Sequence, residues 1–188
     1  MATQTLITVD EFLGLLEQDE IGRELDDGRV IEMPAVSLVD GCVAGGFFAS
    51  LDSWIGRAGA DFYPSLNVAF LLETATVRIP DACLVRKSSY ASIERVRGAL
   101  RGAPELAIEV VSENESAAGL DRKVHQYLRA GATAVWAAYP VTRHVLSYRR
   151  SGELRSIGPG QTLEEPDLLP GFSLAIDTLF ADVDPLVR

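Results

Sequence analysis

Three side chains in this sequence have the types and spacing to do chemistry together. Asp81 follows Pro80 inside "VRIPDACLV", Glu109 interrupts the apolar run "LAIEVV", and Lys123 stands 14 positions later in "GLDRKVHQYLRAG". A carboxylate within an apolar strand costs several kcal/mol unless it is paired or takes up a proton. If the two acidic segments are neighbouring strands, both carboxylates point into one cleft, where they repel unless a proton or cation is shared. A divalent ion with oxygen ligands is the usual remedy, and Mg²⁺ or Mn²⁺ suits such donors better than Zn²⁺. The sequence offers no soft cluster: His125 and His144 lack partners at ligand spacing, and Cys42 and Cys83 read as small buried residues. A helix leaving the Glu109 strand can fold back across the sheet and return Lys123 to the cleft, on one face with Tyr127. There its ammonium would oppose negative charge developing on phosphoryl oxygens or orient attacking water. The plainer reading is a solvent lysine paired with Asp121 or Glu115.

The surrounding pattern predicts the elements that hold these residues. "TVDE" at 8–11 is a capping box, and Phe12, Leu15 and Leu16 then share a face, predicting a helix to about Gln18. "RELDDGRVIEM" reads as a hairpin around Asp26-Asp27-Gly28, because Asp-Gly tolerates the positive φ of a tight turn. Val43, Phe47, Leu51, Trp54 and Ile55 predict a second helix, ending by Gly56 or Gly59 and mostly covered. "LNVAFLL", "TVRIPDACLV" and "ELAIEVVS" are expected to be core strands. A helix over 117–130 should stop at Gly131. "AVWAAYP" and "RHVLSYRR" form a further hairpin, "GELRSIG" a short strand, and "LPGFSLAIDTLF" a closing turn with a short helix. Trp136 and Tyr139 in "AVWAAYP" belong to the core or to a dimer seam, with core the better reading. The expected architecture is α/β (α+β): a mixed central sheet flanked by helices, with an N-terminal helix and hairpin, in one domain over 1–188.

Composition bounds the rest. The chain has 188 residues, 47% of them apolar, enough to bury one substantial core. No run approaches the roughly 18 apolar residues of a membrane span, and the first residues lack signal-peptide character, so the expectation is a soluble cytoplasmic protein with no membrane partner. The net charge of −10 argues against a generally basic nucleic-acid surface. Its distribution is uneven: residues 1–60 hold 11 acids against 3 bases, whereas "RKSSYASIERVRGALR" and "RHVLSYRRSGELR" are basic. Either basic stretch is a phosphate-facing patch or an ordinary solvated face.

Pro-Asp, then a strand glutamate, then a lysine is the signature of the PD-(D/E)xK nuclease superfamily. More specifically, the chain resembles the Uma-two family of restriction endonucleases in "RELDDGRVIEMP", "VRIPDACLV", "APELAIEVVSENES", "LDRKVHQYLRAGATAVWAAYP" and "LPGFSLAIDTLF", in the family's order and across nearly the whole chain. The resemblance implies a restriction-endonuclease-like fold, with Asp81 and Glu109 as metal ligands and the Val110 carbonyl completing the shell. It also implies that Glu24 matches an N-terminal acidic position near the same site, a further candidate ligand that assists catalysis, and that the lysine has moved from the position of Val111 to Lys123 on the next helix. Ser112 matches the family's strand-end serine, which either hydrogen-bonds the site or terminates the strand, the second being the better reading. The chain departs from the pattern at Asp40, where family members often carry a histidine; a carboxylate cannot donate a proton at neutral pH as an imidazolium does.

The leading functional expectation is therefore a Mg²⁺- or Mn²⁺-dependent endonuclease, with DNA as its partner and a homodimer as a possible assembly. The alternative is a catalytically idle, regulatory or oligomeric binding protein on the same scaffold, favoured by Asp40 and the acidic charge. A glycosidase-like acid pair would need an aromatic-lined sugar cleft and leaves Lys123 without a task.

Overall fold

A computed structural model describes residues 6–17, 22–112, 115–181 and 183. The N-terminal segment forms helix α1 (Val9–Leu16), and its capping box is made: Glu11 N–H donates to the Thr8 hydroxyl, and the Glu11 carboxylate accepts from Thr8 N–H at 2.7 Å. The expected end at Gln18 lies outside the described residues. The predicted hairpin follows as β1 (Arg23–Asp26) and β2 (Arg29–Glu32), with Asp27 and Gly28 both at positive φ (48° and 78°), the pairing that a tight hairpin turn demands. Helix α2 (Leu38–Ala58) stops at Gly59 in the left-handed conformation.

The remaining elements are β3 (Phe62–Leu66), β4 (Phe70–Glu73), β5 (Thr76–Arg78), β6 (Ala82–Arg86), a turn of helix α3 (Lys87–Tyr90), β7 (Arg95–Val96), β8 (Ala99–Arg101) and β9 (Leu106–Val110). They continue with α4 (Ala117–Ala130), β10 (Ala134–Tyr139), β11 (His144–Arg149), β12 (Leu154–Ile157), β13 (Thr162–Glu165), β14 (Leu169–Ala175) and α5 (Ile176–Leu179). Two six-stranded sheets result. The first has the order β2-β1-β5-β4-β8-β7 and the second β12-β11-β10-β9-β6-β3, while β13 and β14 pair apart. The mixed sheets and flanking helices agree with the expected α+β class.

The second sheet carries helices on both faces. Its β9 and β10 run parallel, joined through α4, and every residue of β9 is buried. Ile108 and Trp136 face α2, where Phe47 and Phe172 lie 5.7 and 5.8 Å from Trp136. Trp136 is thus core, as read. Ala107, Val135 and Ala137 face α4 and meet Leu120, Val124 and Tyr127. The small alanines let that helix approach closely. Burial on both faces explains why these strands read as continuous apolar runs rather than alternating ones.

Several expectations are corrected. "LNVAFLL" is not one strand: Asn67, at φ 53°, turns the chain between β3 and β4, which belong to different sheets. "TVRIPDACLV" likewise divides, β5 in the first sheet and β6 in the second, because Pro80 has no N–H to continue a ladder. Asp81 therefore sits at a crossover between sheets, not inside a strand. Helix α2 is covered only along the stripe Val43, Ala44, Phe47, Leu51, Trp54 and Ile55; its low charge comes from small exposed residues. The closing segment is mostly strand β14, with α5 reduced to Ile176–Leu179.

Candidate active site

The crossover at Pro80-Asp81 opens a cleft of about 950 Å³ between the two sheets, under the N-terminal half of α4. Asp81, Glu109, Lys123 and Glu24 all line it, as do Val110, Ser112, Glu115 and Asp40. Register explains the meeting of the first two. Ala82 of β6 pairs with Ile108 of β9, so extending that antiparallel ladder by one residue sets Asp81 opposite Glu109. Both then project from the face of the second sheet that α4 covers. Asp81 Oδ2 accepts from the Val110 N–H at 2.6 Å, fixing the Pro-Asp turn to the end of β9.

Helix α4 supplies the cation. Ser116 caps it, accepting from the Gly119 N–H, and Lys123 and Tyr127 lie one turn apart on its buried face. Lys123 Nζ stands 3.3 Å from Glu109 Oε2, 3.5 Å from Glu24 Oε2 and 3.5 Å from Glu115 Oε2. The expected partner Glu115 is present, but Lys123 is no solvent lysine: it is 5% exposed. Tyr127 OH donates to Glu109 Oε1 at 2.8 Å. Each Glu109 oxygen thus has a protein donor and a further lone pair.

A second group of charges adjoins the first. Arg78 closes β5 with all of its guanidinium nitrogens engaged: Nη1 to Glu24 Oε2 at 2.8 Å, Nη2 to Asp26 Oδ1 at 2.9 Å and Nε to Gln126 Oε1 at 2.9 Å. Gln126 Nε2 donates to Asp26 Oδ1, and Arg122 reaches Asp26 Oδ2 from the cleft side. Glu24 is fully buried and also accepts from the Ile79 N–H.

Protonation separates these groups. Burial drives Asp81 up to about 6, against the pull of the Val110 N–H and Lys123, with Asp40 and Glu24 adding repulsion. Burial likewise drives Glu109 up to about 7, opposed by Lys123 and reinforced by Glu24 and Asp81. Lys123 is raised as well, which here preserves its charge: burial disfavours the ammonium form, but Glu109, Glu24 and Glu115 outweigh that and keep it an ammonium ion. Asp26 is held below the usual carboxylate range, because Gln126, Arg78 and Arg122 overcome the cost of burial.

Among the described residues, no three His, Cys, Asp or Glu side chains gather as a ready-made metal cluster. The donors that do converge are two carboxylates, all-oxygen and hard. This set fits Mg²⁺ or Mn²⁺, which take one or two carboxylates and keep water in the remaining positions. It does not fit Zn²⁺: His125 lies exposed against Asp121, His144 contacts the Thr142 carbonyl, and burial pushes the Cys83 thiol to about 12.

Sequence reasoning missed Arg78, Asp26 and Gln126. A signal existed, because an arginine in "TVRIP" needs a counter-charge for the same reason as Glu109, and Glu24 and Asp26 share a face two residues apart on β1. Four bases of the basic stretches are matched by acids: Arg86 pairs with Glu105, Arg97 with Glu17, Arg101 with Glu94, and Arg149 with Glu165 and Asp167. No helix among the described residues is long and apolar enough to cross a membrane.

Comparison with known proteins agrees with this architecture. The fold is similar to the crystal structure of "a putative nuclease belonging to DUF820" from Anabaena variabilis, with a TM-score of 0.78 and 21% identity, covering 93% of this chain and 98% of that one. No curated protein matches the chain. Residues 9–177 match the model of the Uma2 family, described as "Putative restriction endonuclease", and the chain belongs to that family.

Proposed function

We propose that this protein is a metal-dependent endonuclease that hydrolyses DNA phosphodiester bonds. The observation that carries the reading is the approach of Asp81, at the crossover that leads into β6, and Glu109, on β9, both with raised proton affinity, to a cleft where a buried ammonium stands 3.3 Å from Glu109. Family membership supports the same class. Asp81 and Glu109, with the Val110 carbonyl, are the groups that would hold Mg²⁺ or Mn²⁺; when bound, such an ion activates water and neutralises phosphate charge.

The chain's own residues do the rest. Tyr127 and the Val110 N–H fix the orientation of the two carboxylates, so that little reorganisation accompanies binding. Lys123, restrained by three carboxylates, presents a permanent positive charge towards phosphoryl oxygens as they gain charge. Glu24 holds Lys123 from the first sheet and is itself held by Arg78, a positioning role rather than direct contact with substrate. Purified protein should nick or cut DNA with Mg²⁺ or Mn²⁺, and Asp81→Ala should lower that activity at least ~10³-fold, since metal-ion stabilisation contributes several kcal/mol. Undiminished metal-dependent cleavage by the variant rejects the assignment.

A second reading has a specific observation behind it. Arg97, Arg101 and Arg149 of the basic stretches are occupied by internal ion pairs, and Asp40 adds repulsion at Asp81, which favours an idle or regulatory binding protein on the same scaffold. Calorimetric titration with Mn²⁺ separates the two: saturable heat that vanishes in both Asp81→Ala and Glu109→Gln supports the enzyme, and its absence supports the idle scaffold.

A further inference from the structure

A smaller concavity, about 350 Å³, lies beside the cleft on the same face of the second sheet. It is built from the edge strand β3, the turn α3 and the β7–β8 hairpin, and its principal walls are Tyr63, Tyr90, Val85 and Arg95. The two tyrosine rings meet edge to face, 5.6 Å apart at 72°. Lys87 Nζ stands 5.4 Å from the centre of the Tyr63 ring, and the Arg95 guanidinium 4.6 Å from that of Tyr90. Tyr63 is 47% exposed, unusual for a large ring on a sheet.

The charge of this place sets it apart. In a chain of net charge −10, no acid among the described residues lines it. Neighbouring bases are taken up by carboxylates, Arg86 by Glu105 and Arg101 by Glu94; Lys87 has the Asp61 carboxylate in its neighbourhood without a close ion pair, and no ion pair among the described residues involves Arg95. Two cations without ion-pair partners beside two partly exposed aromatic rings are the elements from which proteins build platforms for unpaired bases: the ring stacks on the base and the cations offset its phosphates. The volume falls at the small end of ligand pockets, about 300–1,000 Å³, enough for one base.

Its position relative to the cleft follows from the strand ladder. On β3, Tyr63 pairs with Val85 and Ser65 with Cys83, so Tyr63 and Ser65 lie on the face that Val85 and Cys83 share, and Asn67 follows at the turn that ends β3. Asn67 already lines the cleft. Four residue steps along β3 and into its terminal turn separate Asn67 from Tyr63, roughly 13 Å. That is about four stacked nucleotide steps at 3.4 Å, or fewer in an extended strand.

We propose that the Tyr63–Tyr90 concavity takes one unstacked base of a nucleic-acid strand whose phosphodiester lies at Asp81 and Glu109, so that the preferred substrate is single-stranded or locally unpaired. The identity of the second point rests on the nuclease reading; the base pocket itself does not.

The test is fluorescence anisotropy of the full chain in EDTA with a labelled single-stranded oligonucleotide, a duplex of the same sequence, and a series in which an abasic residue moves along the single strand. The expected result is tighter binding of the single strand than of the duplex, and one abasic position that weakens binding by roughly 5- to 150-fold, the range of one stacked base. Tyr63→Ala should bind the intact strand as weakly and show no abasic penalty, while Tyr63→Phe retains it. Tyr63 is at an exposed edge, and a circular dichroism spectrum matching the parent confirms that each variant is folded. No single-strand binding, no sensitive abasic position, or a penalty that survives Tyr63→Ala overturns the proposal. Cleavage of the same oligonucleotides by wild-type protein in Mg²⁺ judges the nuclease reading separately: an abasic penalty without cleavage keeps the pocket and rejects the nuclease, and cleavage without the penalty does the reverse.

Discussion

Two buried acid clusters sit side by side in this molecule, and they are built differently. Around Arg78, the acids Glu24 and Asp26 meet a guanidinium and an amide that together satisfy them, and Asp26 stays ionised below the ordinary range. Around Lys123, one ammonium is shared among Glu109, Glu24 and Glu115, and Asp81 and Glu109 are driven up to about 6 and about 7. The first cluster is closed within the protein. The second has less positive charge than its carboxylates need, which is the electrostatic condition for taking up a proton or a cation. On the proposed reading, the first cluster holds structure and the second is the one placed for chemistry.

The most disruptive way to break the comparison is Arg78→Met. It removes the sole guanidinium bridging Glu24, Asp26 and Gln126, leaving two buried carboxylates short of their partner. Removing one member of a buried pair costs about 3–5 kcal/mol. Urea denaturation should therefore show a large fall in stability at neutral pH, with Lys123 losing its anchor to the first sheet. A loss below ~1 kcal/mol would mean that the closed cluster does not hold the two sheets together.

The clusters also predict opposite responses to pH in metal-free protein. Asp26 has a folded pKa below its unfolded value, so its contribution is present above that unfolded value and is lost as pH falls through the folded one. Asp81 and Glu109 have raised folded values, so the native state binds more protons than the unfolded chain between their ordinary carboxylate values and about 6 and about 7. Their contribution is lost as pH rises across that window. Thermal denaturation should show Tm falling by several degrees from pH 5 to 7.5, Mn²⁺ reversing the fall at the upper end, and Asp81→Asn flattening it. A Tm that rises through that window places the repulsion elsewhere.

These tests also show what the sequence disclosed. Glu109 was legible because one acid in "LAIEVV" violates the apolar pattern of a doubly covered strand, and the end of α4 was legible because Gly131 marks it. Lys123 was legible only as a residue at the right helical spacing. The division of the chain into two sheets was not, because a short strand with one apolar face does not encode its neighbour, and Pro80 signals a break without saying where the chain goes next. Arg78 escaped for a related reason: its partners lie 48 and 54 positions away on other elements.

The smallest predicted effect addresses how the open cluster is tuned. Tyr127 OH is fully buried and donates to Glu109 Oε1, which favours the ionised carboxylate. Tyr127→Phe keeps the ring in the core beneath α4 and deletes only that donor. Stability should fall by about 1–2 kcal/mol, the scale of one buried hydrogen bond to a group that can carry charge. The informative readout is different. Without the donor Glu109 holds its proton more tightly, and metal ligands must be deprotonated. The midpoint for Mn²⁺ binding, followed by calorimetry from pH 5.5 to 8.5, should therefore move upward, whereas an exposed substitution such as Arg129→Gln, in a pair outside the cleft, should leave it in place. An unmoved midpoint in Tyr127→Phe would show that burial and Lys123 alone set the proton affinity of Glu109, and would reduce Tyr127 to a packing residue.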